Sequence, residues 1–187
     1  MIKGYIYTMF AGADPGLGWQ MTDPIYGKVP TLGACMPNIR RAVVKDDYIF
    51  SISGRVQNVK QYVVGGFSVD EKINALAAYN RLPANRMRVT PQGLFGNIIV
   101  DKNGNHLDFD YHKNYEKRIE NYIVGKTPIV IDRPEHVEKA REETLEVLNQ
   151  LFCRKETSIH QIIGRWRKLD EVQIRDLLAW MTNIGKG

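Results

Sequence analysis

Cys35 lies in the stretch Gly33-Ala34-Cys35-Met36-Pro37-Asn38, shortly before Arg40 and Arg41. Neighbouring guanidinium groups lower a thiol's pKa and favour the nucleophilic thiolate. No histidine precedes His106, so a general-base partner for Cys35 must arrive through tertiary folding, and the alternative is a small buried cysteine. A second constellation is His106, Asp108, Asp110 and His112, spaced by two, with Asp101 expected opposite His106 across a hairpin. On a strand these imidazoles and carboxylates share one face, a set that holds a divalent metal or runs acid–base chemistry. The same alternation is the solvated face of a half-buried strand whose Leu107, Phe109 and Tyr111 point inward, and on that reading no metal binds. Cys35 and Cys153 are the only cysteines and neither sits in a CxxC pair, which excludes a thiolate zinc site and argues against a disulfide framework. No cofactor is expected.

Arg40, Arg41, Lys45, Arg55 and Lys60 fall near predicted strand ends and loops, where side chains and turn amides meet phosphate oxygens together. Trp19, Tyr26 and Tyr62 accompany them and offer rings for stacking, worth about 1–3 kcal/mol per base. The expected base-binding set is therefore Trp19, Tyr26, Cys35, Asn38, Arg40, Arg41, Arg55, Lys60 and Tyr62. Charge agrees with this localisation: residues 1–93 hold 11 Lys+Arg against 6 Asp+Glu, and residues 94–187 hold 15 against 15, so the whole excess of +5 lies in the first half. A basic half beside a neutral one suits an anionic partner, nucleic acid above all.

The elements that must position these residues follow from pattern. The 187 residues are 43% hydrophobic and 25% charged, an ordinary globular composition that excludes disordered and collagen-like chains. No apolar run exceeds five residues, against the roughly 20 of a membrane span, and Met1-Ile2-Lys3-Gly4 opens no secretory leader, so a cytoplasmic protein without membrane partners is expected. Residues 2–9, 47–53 and 61–69 read as strands, and residues 11–37, with four prolines and five glycines, as a long binding loop. A helical turn is predicted over 38–42 and a helix over 70–81. Asn103-Gly104 predicts a two-residue hairpin pairing Val100 with Leu107 and Ile98 with Phe109. A strand near 129–131, helices over 134–152 and 158–168, and a last helix opened by an Asp170/Gln173 capping box complete the chain. Strands gather in 1–131 and helices in 132–187, which predicts an α+β fold with the helical segment an extension of the same domain.

The order of features resembles a known family. Thr31-Leu32-Gly33-Ala34-Cys35-Met36-Pro37-Asn38-Ile39-Arg40-Arg41, then Lys45-Asp46-Asp47-Tyr48-Ile49-Phe50, then Tyr62-Val63-Val64-Gly65-Gly66-Phe67-Ser68-Val69 resembles the second of the nucleotide modification associated domain families. That pattern runs cysteine-x-proline-x-isoleucine-arginine, then Gly-Asp opening a strand, and Asp46 stands here where the family carries glycine. Phe95-Gly96-Asn97-Ile98-Ile99 is similar to a further family segment. The resemblance covers about residues 1–131 and extends to the wider PUA-like group. It implies a PUA-like mixed or antiparallel sheet, or a partly open barrel, with the C-terminal helices packed on it. It also implies a role beside base-modifying enzymes, in DNA modification or the reading of modified bases.

The expected function is thus a nucleic-acid or nucleotide binding module holding a base in a basic, aromatic-lined pocket. The alternative is an enzyme acting on a nucleotide or base through Cys35 or the Asp101, His106, Asp108 face.

Overall fold

The computed structural model describes residues 1–186. In chain order its elements are β1 (Gly4–Thr8), β2 (Thr31–Leu32), α1 (Pro37–Ala42), β3 (Tyr48–Ile52), β4 (Val63–Ile73), α2 (Ala75–Arg81), β5 (Arg88–Thr90), β6 (Gly93–Phe95), α3 (Glu116–Ile119), β7 (Tyr122–Val130), α4 (Pro134–Leu151), α5 (Ile159–Ile163), β8 (Trp166–Leu169) and α6 (Glu171–Ile184). A six-stranded sheet runs β2-β7-β4-β3-β1-β8, and β5 and β6 form a separate ribbon. The sheet is mixed, because β1 runs parallel to β3 but antiparallel to β8. It is open, with β2 and β8 at its edges, so the fold is α+β and the barrel alternative does not hold. No helix among the described residues is long and apolar enough to cross a membrane.

Two compact units divide the chain: the first is Met1–Trp19, Asp47–Phe67 and the chain from Ile129 onward, the second Gln20–Asp46 with Ser68–Pro128. In the first unit β1 carries Tyr5, Ile6 and Tyr7 into the core, and a Cβ on Gly4 would lie 2.8 Å from Ile174 and 2.9 Å from Leu169, so only glycine admits this approach. The predicted capping box opens α6, with both Asp170 and Gln173 side chains bonded to backbone, and Ile174, Leu177, Met181 and Ile184 are buried along one face. Pro134 begins α4, whose buried Val137, Ala140 and Leu148 repeat at helical spacing. Asp14, 1% exposed, is held by Arg141 at 2.7 and 2.9 Å, a buried charge satisfied by two parallel bonds.

The second unit packs Ala75, Ala78, Ile98, Val100, Tyr122 and Val124 together, with Tyr79, Leu82, Tyr115 and Ile119 against them. Asp46 sits at φ 70°, the left-handed region that glycine favours. The Asp46 N–H donates to the Val69 carbonyl at 2.8 Å and its carboxylate meets Lys126 at 2.7 Å.

Several predicted elements differ. The strand β4 continues through Ile73, and α2 starts only at Ala75, where the Asn74 side chain accepts the Ala77 N–H at 2.8 Å and nucleates the helix. The helix predicted over 158–168 stops at Ile163, because Gly164 (φ 63°) turns the chain and releases Trp166–Leu169 to pair with β1. The two-residue hairpin does not form. The Asp101 carboxylate collects the Asn103 and Asn105 N–H groups, both at 2.8 Å, and widens the turn, so that Val100 bridges His106 rather than Leu107.

Leu177 is fully buried in α6. Leu177→Ala is expected to cost about 2–5 kcal/mol, read as a lowered urea midpoint at unchanged slope.

Candidate active site

The Gly33–Cys35 segment is bound on both its donor and its acceptor sides. Asp23, 7% exposed, accepts the N–H groups of Gly33 at 2.8 Å, Ala34 at 2.9 Å and Cys35 at 2.5 Å, and the Asn97 side-chain amide at 2.9 Å. Arg40, fully buried, donates through Nε to the Cys35 carbonyl at 2.7 Å and through Nη2 to the Ala34 carbonyl at 3.0 Å. Its Nη1 reaches the Arg118 carbonyl at 2.9 Å and also the Asn121 carbonyl, and Arg118 in turn donates to the Ala34 carbonyl at 2.6 Å. Burial pushes the Arg40 guanidinium down to about 10, against the pull of Asp23, so it remains a cation at neutral pH. A charge this deep costs several kcal/mol unless its donors are used, and the four carbonyls use them.

The clamp continues into a polar network. Asn97 donates to Thr31 Oγ1 at 2.9 Å and accepts the Tyr122 hydroxyl at 2.6 Å, while Asn85 donates to Thr31 Oγ1 at 2.9 Å and to the Tyr122 oxygen at 3.2 Å. Met36, immediately after Cys35, adopts φ 51° and leads directly into α1 at Pro37. A left-handed non-glycine residue costs about 1–2 kcal/mol, which the bonds of the clamp offset, and the result is a sharp turn at the cysteine.

This turn brings Cys35 to the irregular 106–112 segment. Cys35 Sγ lies 3.8 Å from His112 Nε2, His112 Nδ1 lies 2.6 Å from Asp110 Oδ1, and Asp110 Oδ2 lies 2.7 Å from His106 Nε2. The Asp110 side chain is 2% exposed, and those of His106 and His112 are 33% and 29% exposed. The His106 ring stacks on Tyr115 at 4.2 Å, and the Tyr115 hydroxyl donates to the Gly104 carbonyl at 2.6 Å, which fixes the imidazole's plane. With Nδ1 bonded to Asp110, His112 presents Nε2 to the thiol. A thiol, an imidazole and a carboxylate in this order are groups that can serve as nucleophile, base and orienting partner.

The thiol's electrostatics overturn one expectation. Burial, reinforced by the Asp23 charge and a hydrogen bond to it, pushes the Cys35 thiol well above its ordinary value, and Arg118 and Arg40 only partly oppose this. Cys35 therefore rests as a thiol, and the imidazole beside it is that of His112.

The expected base-binding residues fall in both units. Tyr26, Cys35, Asn38, Arg40 and Arg41 belong to the second unit, and Trp19, Arg55, Lys60 and Tyr62 to the first. Arg40 is no phosphate ligand, since its guanidinium is buried and spent on carbonyls, and Tyr62, 1% exposed beneath the Arg141 guanidinium, presents no free face for stacking. Arg41, Asn38, Arg55 and Lys60 are exposed, and Trp19 and Tyr26 are half-buried. The Asp101, His106, Asp108 face does not assemble: Asp101 closes its own turn and Asp108 is exposed, while Asp110, in irregular backbone after the 108–109 turn, joins His106 to His112. Among the described residues no three His, Cys, Asp or Glu side chains are grouped to hold a metal ion. Asp23, Asn97 and Arg118 fall outside the expected site residues, although Asp23 lies inside the predicted binding loop and Asn97 inside the Phe95–Ile99 segment.

Two outcomes test this construction. Arg40→Met is expected to destabilise the protein by about 3–5 kcal/mol, because Asp23 loses its buried counter-charge, whereas Arg41→Ala on the exposed neighbour should stay within about 0.5 kcal/mol in the same denaturation experiment. Burial pushes the Asp110 carboxyl up, but the bonds and charges of His112 and His106 more than offset it and hold the group below its ordinary value. A depressed native pKa gives stability that is complete above about pH 4 and lost as pH falls through the native value; Asp110→Asn should flatten that acid limb in melts recorded from pH 6 to 2. No protein-family model matches this chain, and no curated protein matches it.

Proposed function

We propose that the protein is a thiol-dependent enzyme in which Cys35 is the nucleophile, His112 the general base and Asp110 the residue that orients and charge-stabilises the base. The contact chain from Cys35 Sγ through His112 to Asp110 carries this reading. As the sulfur attacks an electrophilic acyl or amidine carbon, its proton passes to His112 Nε2, and the resulting imidazolium is stabilised by Asp110. His112 then returns the proton to the leaving amine or alcohol, and water, deprotonated by the same nitrogen, cleaves the thioester or thioimidate and restores the thiol. His106 holds the second oxygen of Asp110 and is a positioning residue. The resemblance to the nucleotide modification associated domains points to a nucleotide or base as the molecule bearing that carbon.

The rival reading, a binding module for nucleic acid or nucleotide, draws on the exposed Arg41, Arg55 and Lys60 and the positive excess of residues 1–93. A binding module keeps its affinity in Cys35→Ser and has no chemistry to lose.

Alkylation by iodoacetamide followed by mass spectrometry discriminates, with the exposed Cys153 as internal reference. Cys35 is expected to react in the native protein with a rate that rises with pH, and His112→Asn is expected to slow it by about 10–100-fold, in the range of a lost proton acceptor, while Cys153 is unaffected. Equal Cys35 rates with and without the imidazole would leave the reading without its base.

A further inference from the structure

The first unit holds a groove that the thiol chemistry does not use. Its volume is about 870 Å³, ample for a small organic ligand. One wall is the tight turn from Arg55 to Gln61, in which Val56 bridges Val59 and Asn58 takes φ 60°. Val59, Leu145 and Ile159 give it apolar lining, and Arg55 and Lys60 bring two cations to it. The Arg55 side chain is exposed and has no hydrogen-bond or ionic partner among the described residues, and the same holds for the amides of Gln57 and Asn58. Lys60 is paired with Glu142 at 2.5 Å, both largely exposed, while Arg141 is committed to Asp14 and to the Lys60 carbonyl.

A loop bearing an exposed aromatic ring is bonded to the backbone at the cationic end. The Phe10–Ala13 loop is tied to it by the Gly12 N–H on the Arg55 carbonyl at 3.1 Å and the Gly54 N–H on the Ala13 carbonyl at 2.7 Å. Phe10 on this loop is 60% exposed, and Trp19 meets it edge-on at 5.3 Å and 85°. An exposed ring held by a second ring is a stacking platform prepared before any ligand arrives.

We propose that this groove binds a mononucleotide-sized phosphomonoester, its phosphate on Arg55 and Lys60 and its planar base against Phe10 and the apolar lining. A phosphate offers more acceptor oxygens than a carboxylate and so matches the guanidinium fork, the ammonium and the two unused amides together. Glu142 competes with the phosphate for Lys60 and lowers the affinity. The site is independent of Cys35.

Calorimetric titration of the full chain with adenosine 5′-monophosphate, adenosine and inorganic phosphate tests this. The monophosphate is expected to bind at least about ten-fold tighter than either fragment, since each lacks one half of the recognition. Arg55→Ala and Phe10→Ala should each weaken it by about ten-fold, while circular dichroism confirms the unchanged fold. Glu142→Gln should tighten it several-fold by releasing Lys60, and Cys35→Ser should leave it unchanged. Equal binding of adenosine and the monophosphate, indifference to Arg55→Ala, or weaker binding in Glu142→Gln would overturn the proposal. So would Arg55-dependent binding of a ten-nucleotide single strand without binding of the monophosphate, for the occupant would then be a nucleic-acid chain. Loss of His112-dependent reactivity with monophosphate binding intact would strike the enzymatic reading alone.

Discussion

The Asp23–Arg40 clamp is the interaction on which the candidate active site depends. A carboxylate that gathers three consecutive amides and a guanidinium that gathers the carbonyls of Ala34 and Cys35 leave the Gly33–Cys35 backbone one conformation. Neither ion is tolerable there alone, because burying an unpaired charge costs more than most single interactions return. Together, with four guanidinium donors and both carboxylate oxygens engaged, they hold Met36 in the left-handed region and turn Cys35 toward His112. Glycine at position 33 is part of the same constraint, since a side chain there would run into the Asn97 carbonyl and the Tyr122 ring.

The clamp also sets the chemistry. Asp23 lies next to the sulfur and, together with burial, keeps it protonated, while the two arginines are aimed at carbonyls and only partly counter this. A thiol in such a place gains nucleophilicity only when an adjacent base accepts its proton. Asp110 receives His112 on one oxygen and His106 on the other, which orients both imidazole rings. The three amides of residues 33–35 are already spent on Asp23, which leaves them unable to stabilise an oxyanion.

Much of the scaffold was legible in local pattern. Strand β1, the helix after Pro37, strand β3, the long helix α4 and the capping box of α6 rest on alternation, helical periodicity and cap chemistry, all of which act within a few residues. Misjudged boundaries share a cause: Asn74, Asp101 and Gly164 each redirect the backbone through one side chain or one left-handed residue, and the periodicity around them carries no trace of it. The spacing of two over His106–His112 read as a strand face, whereas the real convergence of His106, Asp110 and His112 comes from irregular backbone without a period.

Composition and order by themselves determined an α+β chain, a long glycine- and proline-rich loop that delivers Asp23 and Cys35, and a cysteine lacking any histidine nearby in sequence. The charge beside that cysteine was also legible, but its meaning was not. Only the tertiary structure decided that Arg40 faces inward to carbonyls while Arg41 faces solvent, that burial and Asp23 together outweigh Arg40 and Arg118 at the sulfur, and that the histidine beside the sulfur comes from a segment 77 residues away. Local spacing governs backbone periodicity, whereas burial and the sign of the nearest charge govern a pKa, and both of these are properties of the packed chain.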